Sequence, residues 1–240
     1  MIDSEAALEE VRRALRREPR IDFDHQAISL TFANGELLIS GEVDDIAAKR
    51  LAVERAARAP SVTVVFDELR VRPDESIPDD EIRDLLRRAF VEEPALTGCT
   101  IREHTPGRLQ IVHAPLTSVG RIDVAVTRGT VTLSGEVPSL AQKRLVGALA
   151  WWVPGSRDVI NTLGVQPAEE DSDGAIRDAV RLVLDRDSAV QATGIEVDTR
   201  DGVVTLDGTI PAASERTAAE HDAWYVWGVR DVVSHLAVRA

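Results

Sequence analysis

Gly129-Thr130-Val131-Thr132-Leu133-Ser134-Gly135 is the stretch that decides the fold, because the same pattern occurs two more times in this chain of 240 residues. Its counterparts are Gly35-Glu36-Leu37-Leu38-Ile39-Ser40-Gly41 and Gly202-Val203-Val204-Thr205-Leu206-Asp207-Gly208. A repeat with constant internal spacing predicts an array of one small module instead of a single large fold. It also makes an enzyme less expected, since a catalytic site needs a few unlike residues that an array does not supply.

Each module reads as helix, strand, strand, helix, strand. In the second copy, Ile82, Leu86 and Phe90 recur at helical spacing, and the glycine-bounded strand follows a strand of alternating apolar residues. An Ala-rich amphipathic helix and a β-branched strand complete the module. The predicted fold class is α+β: three tandem α-β-β-α-β modules, each a three-stranded mixed sheet with two helices on one face. The glycines expected at turns or close approaches are Gly35, Gly41, Gly129, Gly135, Gly155, Gly202, Gly208 and Gly228.

The spacing of the repeats predicts the module boundaries. The hairpins are offset by 94 residues from Gly35 to Gly129, and by 73 residues from Gly129 to Gly202. The opening helices of the last two copies are offset by 94, from Ile82 to Ile176, so repeat 2 carries about 21 extra residues. We therefore expect repeat 1 over residues 1–73, repeat 2 over 74–167 with an inserted hairpin at about 97–120, and repeat 3 over 168–240. A Pro106-Gly107 turn is expected at the tip of that hairpin.

These patterns resemble the BON domain family (bacterial OsmY and nodulation domain). The resemblance rests on four segments of repeat 2, namely Val131-Thr132-Leu133-Ser134-Gly135-Glu136-Val137, Gln142-Lys143-Arg144, Val153-Pro154-Gly155 and Asp158-Val159-Ile160-Asn161. Gly155 and Gly228 match a glycine that is usual in the family, whereas Ser61 replaces it in repeat 1. This resemblance implies attachment to phospholipid surfaces or envelope components, often under osmotic stress.

The charge of the chain excludes some classes of partner. The net charge is −13, and residues 168–240 carry −8 of it. Such acidity argues against nucleic-acid binding and weakens electrostatic attraction to anionic lipid. The beginning of the chain has neither the basic nor the apolar region of a secretory signal, no apolar run is long enough to span a bilayer, and Cys99 is the single cysteine. The expected location is cytoplasmic, with a peripheral position at the inner membrane face as the alternative.

Aromatic residues supply the first candidate binding surface. All four tryptophans follow or end the second helix of repeats 2 and 3, at Trp151, Trp152, Trp224 and Trp227. Packing in the core or between repeats is the favoured interpretation, because tryptophan is highly buried on average. The functional alternative is an aromatic cluster that contacts lipid headgroups or a protein partner.

A basic row in repeat 1 supplies the second candidate surface. Arg13, Arg16, Arg17 and Arg20 are predicted to lie on the first helix, with Arg16 and Arg20 one turn apart, and likewise Arg13 and Arg17. The row could meet phosphate headgroups or an acidic partner. A solvated face paired with local carboxylates is the favoured interpretation.

No catalytic, metal or cofactor site is predicted. The chain has no phosphate-binding glycine loop and no nucleophile elbow. Cys99, His104 and His113 occur in the insertion, but their spacing matches no closed zinc site and a fourth ligand is missing. The sequence therefore predicts a non-catalytic protein without cofactors.

Three hypotheses about function remain open at this level. The first is a binding module for membrane phospholipid or envelope components in a stress response. The second is a cytoplasmic scaffold that recruits a protein partner through sheet edges and the repeat 2 hairpin. The third is a sensor of a small ligand or cation. The sequence leaves the oligomeric state open.

Overall fold

The computed structural model describes residues 4–23, 27–105 and 107–239. They divide into two compact units, one within residues 1–72 and the other within residues 73–240. The first unit holds repeat 1 and the second holds repeats 2 and 3. The predicted turn at Pro106-Gly107 falls partly outside the described residues, because Pro106 is not among them.

Repeat 1 has the predicted order of elements. Helix α1 (Ser4–Arg16) precedes strands β1 (Ile28–Ala33) and β2 (Glu36–Val43), helix α2 (Ile46–Ala57) and strand β3 (Val64–Val71). Strand β2 pairs antiparallel with β1 and parallel with β3, which gives a mixed three-stranded sheet. The parallel pair requires a crossover connection, and α2 supplies it. Leu37, Ile39 and Leu69 from the sheet meet Val11 and Leu51 from the helices in a buried core.

The first helix ends before the last two of the four candidate arginines. Helix α1 ends at Arg16, so Arg17 and Arg20 lie in the following turn and not on a helical face. Pro19 explains the end of the helix, because proline lacks an N–H group and disfavours helical geometry at the residue before it. The Glu18 N–H instead donates to the Leu15 carbonyl at 3.1 Å, which closes a tight turn. The prediction of a helical basic stripe over all four arginines was wrong.

Repeat 2 repeats this core and extends it. Helix α3 (Asp79–Glu92) is followed by β4 (Cys99–Thr105), β5 (Arg108–His113), β6 (Gly120–Thr127), β7 (Thr130–Val137), helix α4 (Leu140–Trp152), β8 (Asp158–Asn161) and β9 (Gly164–Val165). Strands β6, β7 and β8 form the repeated core, and β9 continues the pairing of β8 along β7. The inserted residues supply β4 and β5, which widen the sheet to the order β5-β4-β6-β7-β8. Strand β4 pairs parallel with β6, so β5 is left at the outer edge.

Repeat 3 has the three-stranded form without the insertion. Helix α5 (Asp173–Arg186) precedes β10 (Ile195–Arg200), β11 (Val203–Ile210), helix α6 (Ala213–Tyr225) and β12 (Asp231–Val238). The sheet order is β10-β11-β12, with an antiparallel and a parallel pair as in repeat 1. The fold class predicted from the sequence is confirmed. Helices α5 and α6 of repeat 3 both pack on α4 of repeat 2 within the second unit.

The predicted turn glycines all have positive φ. At the hairpins, the residue before the glycine also has positive φ (Asn34, Arg128 and Asp201), which is the geometry of a two-residue turn between antiparallel strands. An acidic residue at the start of the preceding helix binds this turn in repeats 2 and 3. The Asp79 carboxylate accepts from the Arg128 and Gly129 N–H groups, both at 2.8 Å. Asp173 does the same with Asp201 and Gly202, at 2.8 and 2.9 Å.

Candidate functional site

The four tryptophans belong to repeats 2 and 3, and most of them are not available to a ligand. Trp224 is 2% exposed and Trp151 is 9% exposed. Trp151 stacks on Tyr225 with ring centroids 5.7 Å apart and planes tilted by 10°. This contact joins α4 of repeat 2 to α6 of repeat 3. For these two residues, the structure has the packing arrangement that the sequence favoured.

Trp152 is half-buried at the same junction. Its indole N–H donates to Oδ1 of Asp222 at 2.7 Å, across from repeat 2 to repeat 3. Asp222 is itself 1% exposed. The pKa of the Asp222 carboxyl is raised to about 8, and burial is the largest cause; the indole hydrogen bond acts in the opposite direction, and neighbouring Asp187 acts in the same direction as burial.

Trp227 differs from the other three because 43% of it is exposed. It lies in the loop between α6 and β12, beside two basic residues of α4. The Lys143 ammonium nitrogen is 4.8 Å from the centre of the indole, and the Arg144 guanidinium carbon is 5.8 Å from it. Both distances suit cation–π attraction. Together, Trp227 and Lys143 form what we call the indole–lysine site.

Arg144 of α4 binds the backbone of the loop that contains Trp227. The residue is fully buried, which is unusual for arginine. Its Nε donates to the backbone carbonyl of Trp227 at 2.9 Å, and its Nη2 donates to the Asp171 carboxylate in the segment between the repeats. A β-carbon at Gly228 would lie 3.2 Å from this guanidinium. One side chain of repeat 2 thus fixes both the inter-repeat segment and the Trp227 loop of repeat 3.

Repeat 1 has a different conformation at the turn between its second helix, α2, and its last strand, β3. Ser61 stands where Gly155 and Gly228 stand, and it is not among the residues with positive φ. Its hydroxyl donates instead to the Glu10 carboxylate at 2.9 Å. The substitution noted in the sequence therefore accompanies a change of backbone geometry at that turn.

The candidate arginines of repeat 1 are exposed, and Arg16 and Arg20 contact other described residues of the repeat. The Arg16 guanidinium lies 5.5 Å from the centre of the Phe23 ring. The Arg20 Nε donates to Glu18 at 2.8 Å, and Arg55 donates to the same carboxylate at 2.8 Å. Burial opposes ionisation of Glu18, yet these hydrogen bonds outweigh it and lower its pKa. Arg20 therefore supports the fold of repeat 1. Arg13 and Arg17 are exposed on α1 and in the turn after it.

The insertion does not assemble a metal site. Cys99 is buried in the core of repeat 2, where burial raises the pKa of its thiol. His104 is exposed on the opposite face of β4, and His113 Nε2 lies 3.0 Å from the Thr97 carbonyl. Across residues 4–23, 27–105 and 107–239, no group of three His, Cys, Asp or Glu side chains is placed to hold a metal ion.

The BON domain model matches residues 3–73, 110–167 and 172–240, which together are most of the chain. This chain belongs to the BON domain family. The resemblance inferred from the sequence is confirmed. Osmotically-inducible protein Y of Escherichia coli is 34% identical over 124 residues, which are 49% of this BON chain and 62% of that protein. Outer membrane lipoprotein DolP of Haemophilus influenzae is 32% identical over 124 residues, with coverages of 50% and 64%.

The BON chain thus spans less than two thirds of the length of either relative. The relatives are named for osmotic induction and for an outer-membrane location, and neither name states a reaction. A solved C-terminal domain of CdsD, a structural protein of the type III secretion system of Chlamydia trachomatis, aligns over the full chain at 15% identity with a TM-score of 0.26. None of the helices in the described part of the BON chain is both long and apolar enough to cross a membrane.

Sequence reasoning placed the aromatic residues correctly at one end of the second helices but missed their partners. Lys143 and Arg144 were noticed as part of a family motif, not as neighbours of Trp227. Asp222 was not among the predicted site residues. A signal for it existed, because Asp222 stands three residues after buried Ala219 and next to buried Ala223, on the face of α6 that packs inward.

Proposed function

We propose that this protein is a non-catalytic BON-repeat module that attaches to phospholipid surfaces of the cell envelope through the indole–lysine site. Family membership and the names of the two relatives support an envelope or stress-related role. The single observation that carries the lipid assignment is the 43% exposed indole of Trp227 with the Lys143 ammonium 4.8 Å from its ring centre.

The chemistry of the site suits a membrane interface. An indole has an apolar ring and one polar N–H group, so it is favoured at the depth of lipid headgroups. A lysine beside it adds a donor for headgroup phosphate and keeps its charge near water. The net charge of −8 over residues 168–240 opposes binding to anionic bilayers, so the aromatic contact has to supply much of the affinity. The cytoplasmic location expected from the sequence stays a prediction.

The lipid proposal is tested by tryptophan emission during titration with phosphatidylcholine vesicles, with and without phosphatidylglycerol. We expect a blue shift that persists in high salt, because an inserted indole is not displaced by ions. The Trp227→Ala variant should lose the shift and bind about tenfold more weakly, since removing an interfacial indole costs on the order of 1–2 kcal/mol.

Leu116→Ala is the matched control, because Leu116 is fully exposed and belongs to the insertion, away from the indole–lysine site in sequence. It should bind vesicles as the unmodified protein does. Equal blue shifts in the unmodified protein and the Trp227→Ala variant would remove the indole–lysine site from the proposal. Absence of binding to all vesicles would overturn the lipid assignment itself.

A second candidate function, a protein-interaction scaffold, is supported by the edge strand β5. Leu109 is 45% exposed and Ile111 is 60% exposed on this strand. They lie opposite His104 and Arg102 of β4, on the sheet face away from the helices. An uncovered edge with apolar side chains can pair with an extended segment of another protein.

The scaffold candidate is tested with Ile111→Lys, because a charge on an edge strand opposes pairing. Deleting residues 97–120 would be uninformative, since Cys99 and Ile101 belong to the buried core. We expect a partner captured by the unmodified protein to be lost with Ile111→Lys and retained with Leu116→Lys. Retention by both variants would exclude the β5 edge.

A further inference from the structure

The junction between repeats 2 and 3 contains a pair of neighbouring carboxyl groups, one of them almost completely buried. Asp222 of α6 is 1% exposed, and Asp187, which is half-buried, follows the end of α5. Helix α4 of repeat 2 packs against both α5 and α6, so the pair lies where the two repeats meet. The Trp152 side chain of α4 reaches Asp222 directly, with 2.7 Å between Nε1 and Oδ1.

Oδ2 of Asp222 makes no hydrogen bond with the described residues while the carboxyl group is ionised. Oδ2 of Asp222 is inaccessible to water, and no N–H or O–H group of the described residues donates to it. An ionised carboxylate only accepts hydrogen bonds, so an ionised Asp187, which already accepts from the Ala189 N–H at 2.8 Å, cannot satisfy Oδ2 of Asp222. A proton on Asp222 resolves this, because its O–H group can then donate to Asp187. Aspartic dyads elsewhere share a proton for the same reason.

Among the described residues, no basic side chain is resolved as acting on the pKa of Asp222. On α4, Arg144 donates to Asp171, and on α5, Arg186 pairs with Glu93 at 3.3 Å. On β12, His235 pairs with Asp207 of β11 at 2.9 Å. On α6 itself, the His221 ring lies 6.3 Å from Tyr225. Asp187 is the charged group whose effect on Asp222 is resolved, and that effect favours the protonated form.

We propose that the contact between repeats 2 and 3 is proton-dependent: it is closed while Asp222 is protonated, and it loosens when that proton is lost. Loss of the proton leaves two negative charges at a water-poor interface, where the cost of burial is high. Separation of α4 from α6 relieves that cost by hydrating Asp222. The inference goes beyond the proposed lipid function and does not depend on it.

The direction of the pH dependence follows from the two states. In the closed junction the pKa of Asp222 is about 8, whereas a hydrated aspartate titrates near 4. Between these values the closed state holds a proton that the open state lacks, so rising pH favours opening. The opening equilibrium constant should increase by up to about tenfold per pH unit from roughly pH 4 to pH 8 and then level off.

Opening would also affect the Trp227 loop. Arg144 of α4 holds the Trp227 carbonyl at 2.9 Å, and Trp151 stacks on Tyr225 across the same junction. Both contacts join repeat 2 to repeat 3, so they depend on the junction being closed. A proton-dependent junction therefore couples pH to the position of the exposed indole.

The test is hydrogen–deuterium exchange of the full-length protein between pH 5.5 and pH 8.5. Exchange of α6 and α4 is compared at each pH with that of α2, whose residues lie in the separate unit of repeat 1 and correct for the intrinsic rate. In the unmodified protein, the corrected opening of α4 and α6 should rise up to about pH 8, by about a hundredfold or more, and then level off. Asp222→Asn should abolish the rise, since the amide that replaces the carboxyl group stays neutral and can still donate to Asp187.

A second variant keeps the test decisive if Asp222→Asn does not fold. Asp187→Asn removes the neighbouring charge but leaves Asp222 able to titrate, so the rise should persist with a smaller amplitude and reach its plateau at lower pH. His221 is unchanged in both variants, so a dependence caused by His221 would survive in both. The proposal is overturned if unmodified protein and Asp222→Asn show the same pH dependence, or if the unmodified protein shows none.

Discussion

Gly135 shows at the scale of one residue why the repeated glycine pattern exists. Its φ is +115°, and a β-carbon there would overlap the backbone carbonyl of Arg121 on the paired strand. Gly41 and Gly208 meet the carbonyls of Ala27 and Gly194 in the same way. The sequence could reveal this requirement, because only glycine tolerates both the backbone angle and the close approach.

Gly135→Ala should destabilise the second unit by about 3 kcal/mol or more, since the strands must separate to admit the methyl group. Gly107→Ala is the control, because its φ is +76° and a β-carbon there would meet nothing within 4 Å. The control carries backbone strain alone and should cost about 1 kcal/mol. Denaturant unfolding monitored by tryptophan emission measures both. Equal losses in the free energy of unfolding would mean that the overlap with the Arg121 carbonyl does not destabilise the protein.

Asp222 shows the opposite case, in which the sequence could not reveal the environment of a residue. Its position on the inward face of α6 was readable from helical spacing, but its neighbours come from other elements. Trp152 is 70 positions away in the sequence, and strands β10 and β11 separate Asp187 from Asp222. The altered pKa depends on burial by those elements, so it arises only in the folded protein.

Among the individual elements, the hairpins and the helices that precede them are coupled by the Asp79 and Asp173 carboxylates. Two consecutive positive-φ residues point their N–H groups to the same side, which forms an anion-binding concavity. Helix α5 begins with Asp173, whose carboxylate binds that concavity in repeat 3. The acidic start of the helix was visible in the sequence, but its role in the hairpin was not, because 28 positions separate Asp173 from Asp201.

Asp173→Ala should reduce the stability of the second unit by about 2 kcal/mol, because two backbone N–H groups of the turn lose a charged acceptor. Asp178→Ala on the same helix is the control, since Asp178 is exposed and pairs only with neighbouring Arg177 among the described contacts. That change should stay within about 0.5 kcal/mol. Thermal unfolding at neutral pH measures the difference. Similar shifts in both variants would show that the turn does not need the carboxylate.

The inserted strands and the arginine row show where element-level prediction from sequence succeeds and fails. The repeat offsets and the Pro106-Gly107 turn led us to expect a hairpin in the insertion, and strands β4 and β5 lie there. The pairing of β4 with β6 was not predictable, because parallel pairing joins segments that share no local turn. The arginine row failed for a local reason, since the effect of Pro19 on the helix outweighed the spacing of the charges.

For the molecule as a whole, the three similar modules do not have equivalent surroundings. Repeats 2 and 3 share one compact unit, whereas repeat 1 forms its own. Of the tryptophans that the sequence offered as a binding surface, Trp151 and Trp152 contact repeat 3 and are buried wholly or in part, whereas Trp227 is exposed. The difference between a buried and an exposed tryptophan was therefore decided by the packing of neighbouring modules.

The sequence by itself determined the repeated module, the order of its elements, the turn glycines and the family. These features depend on local rules, namely apolar periodicity, positive-φ turns and the close approach of paired strands, which act within one module. Only the tertiary structure decided that Arg144 spans repeats 2 and 3, that Trp227 is exposed beside Lys143, and that Asp222 is buried against Asp187. Burial and charge pairing join residues distant in the chain, and no local pattern encodes which distant side chains will meet.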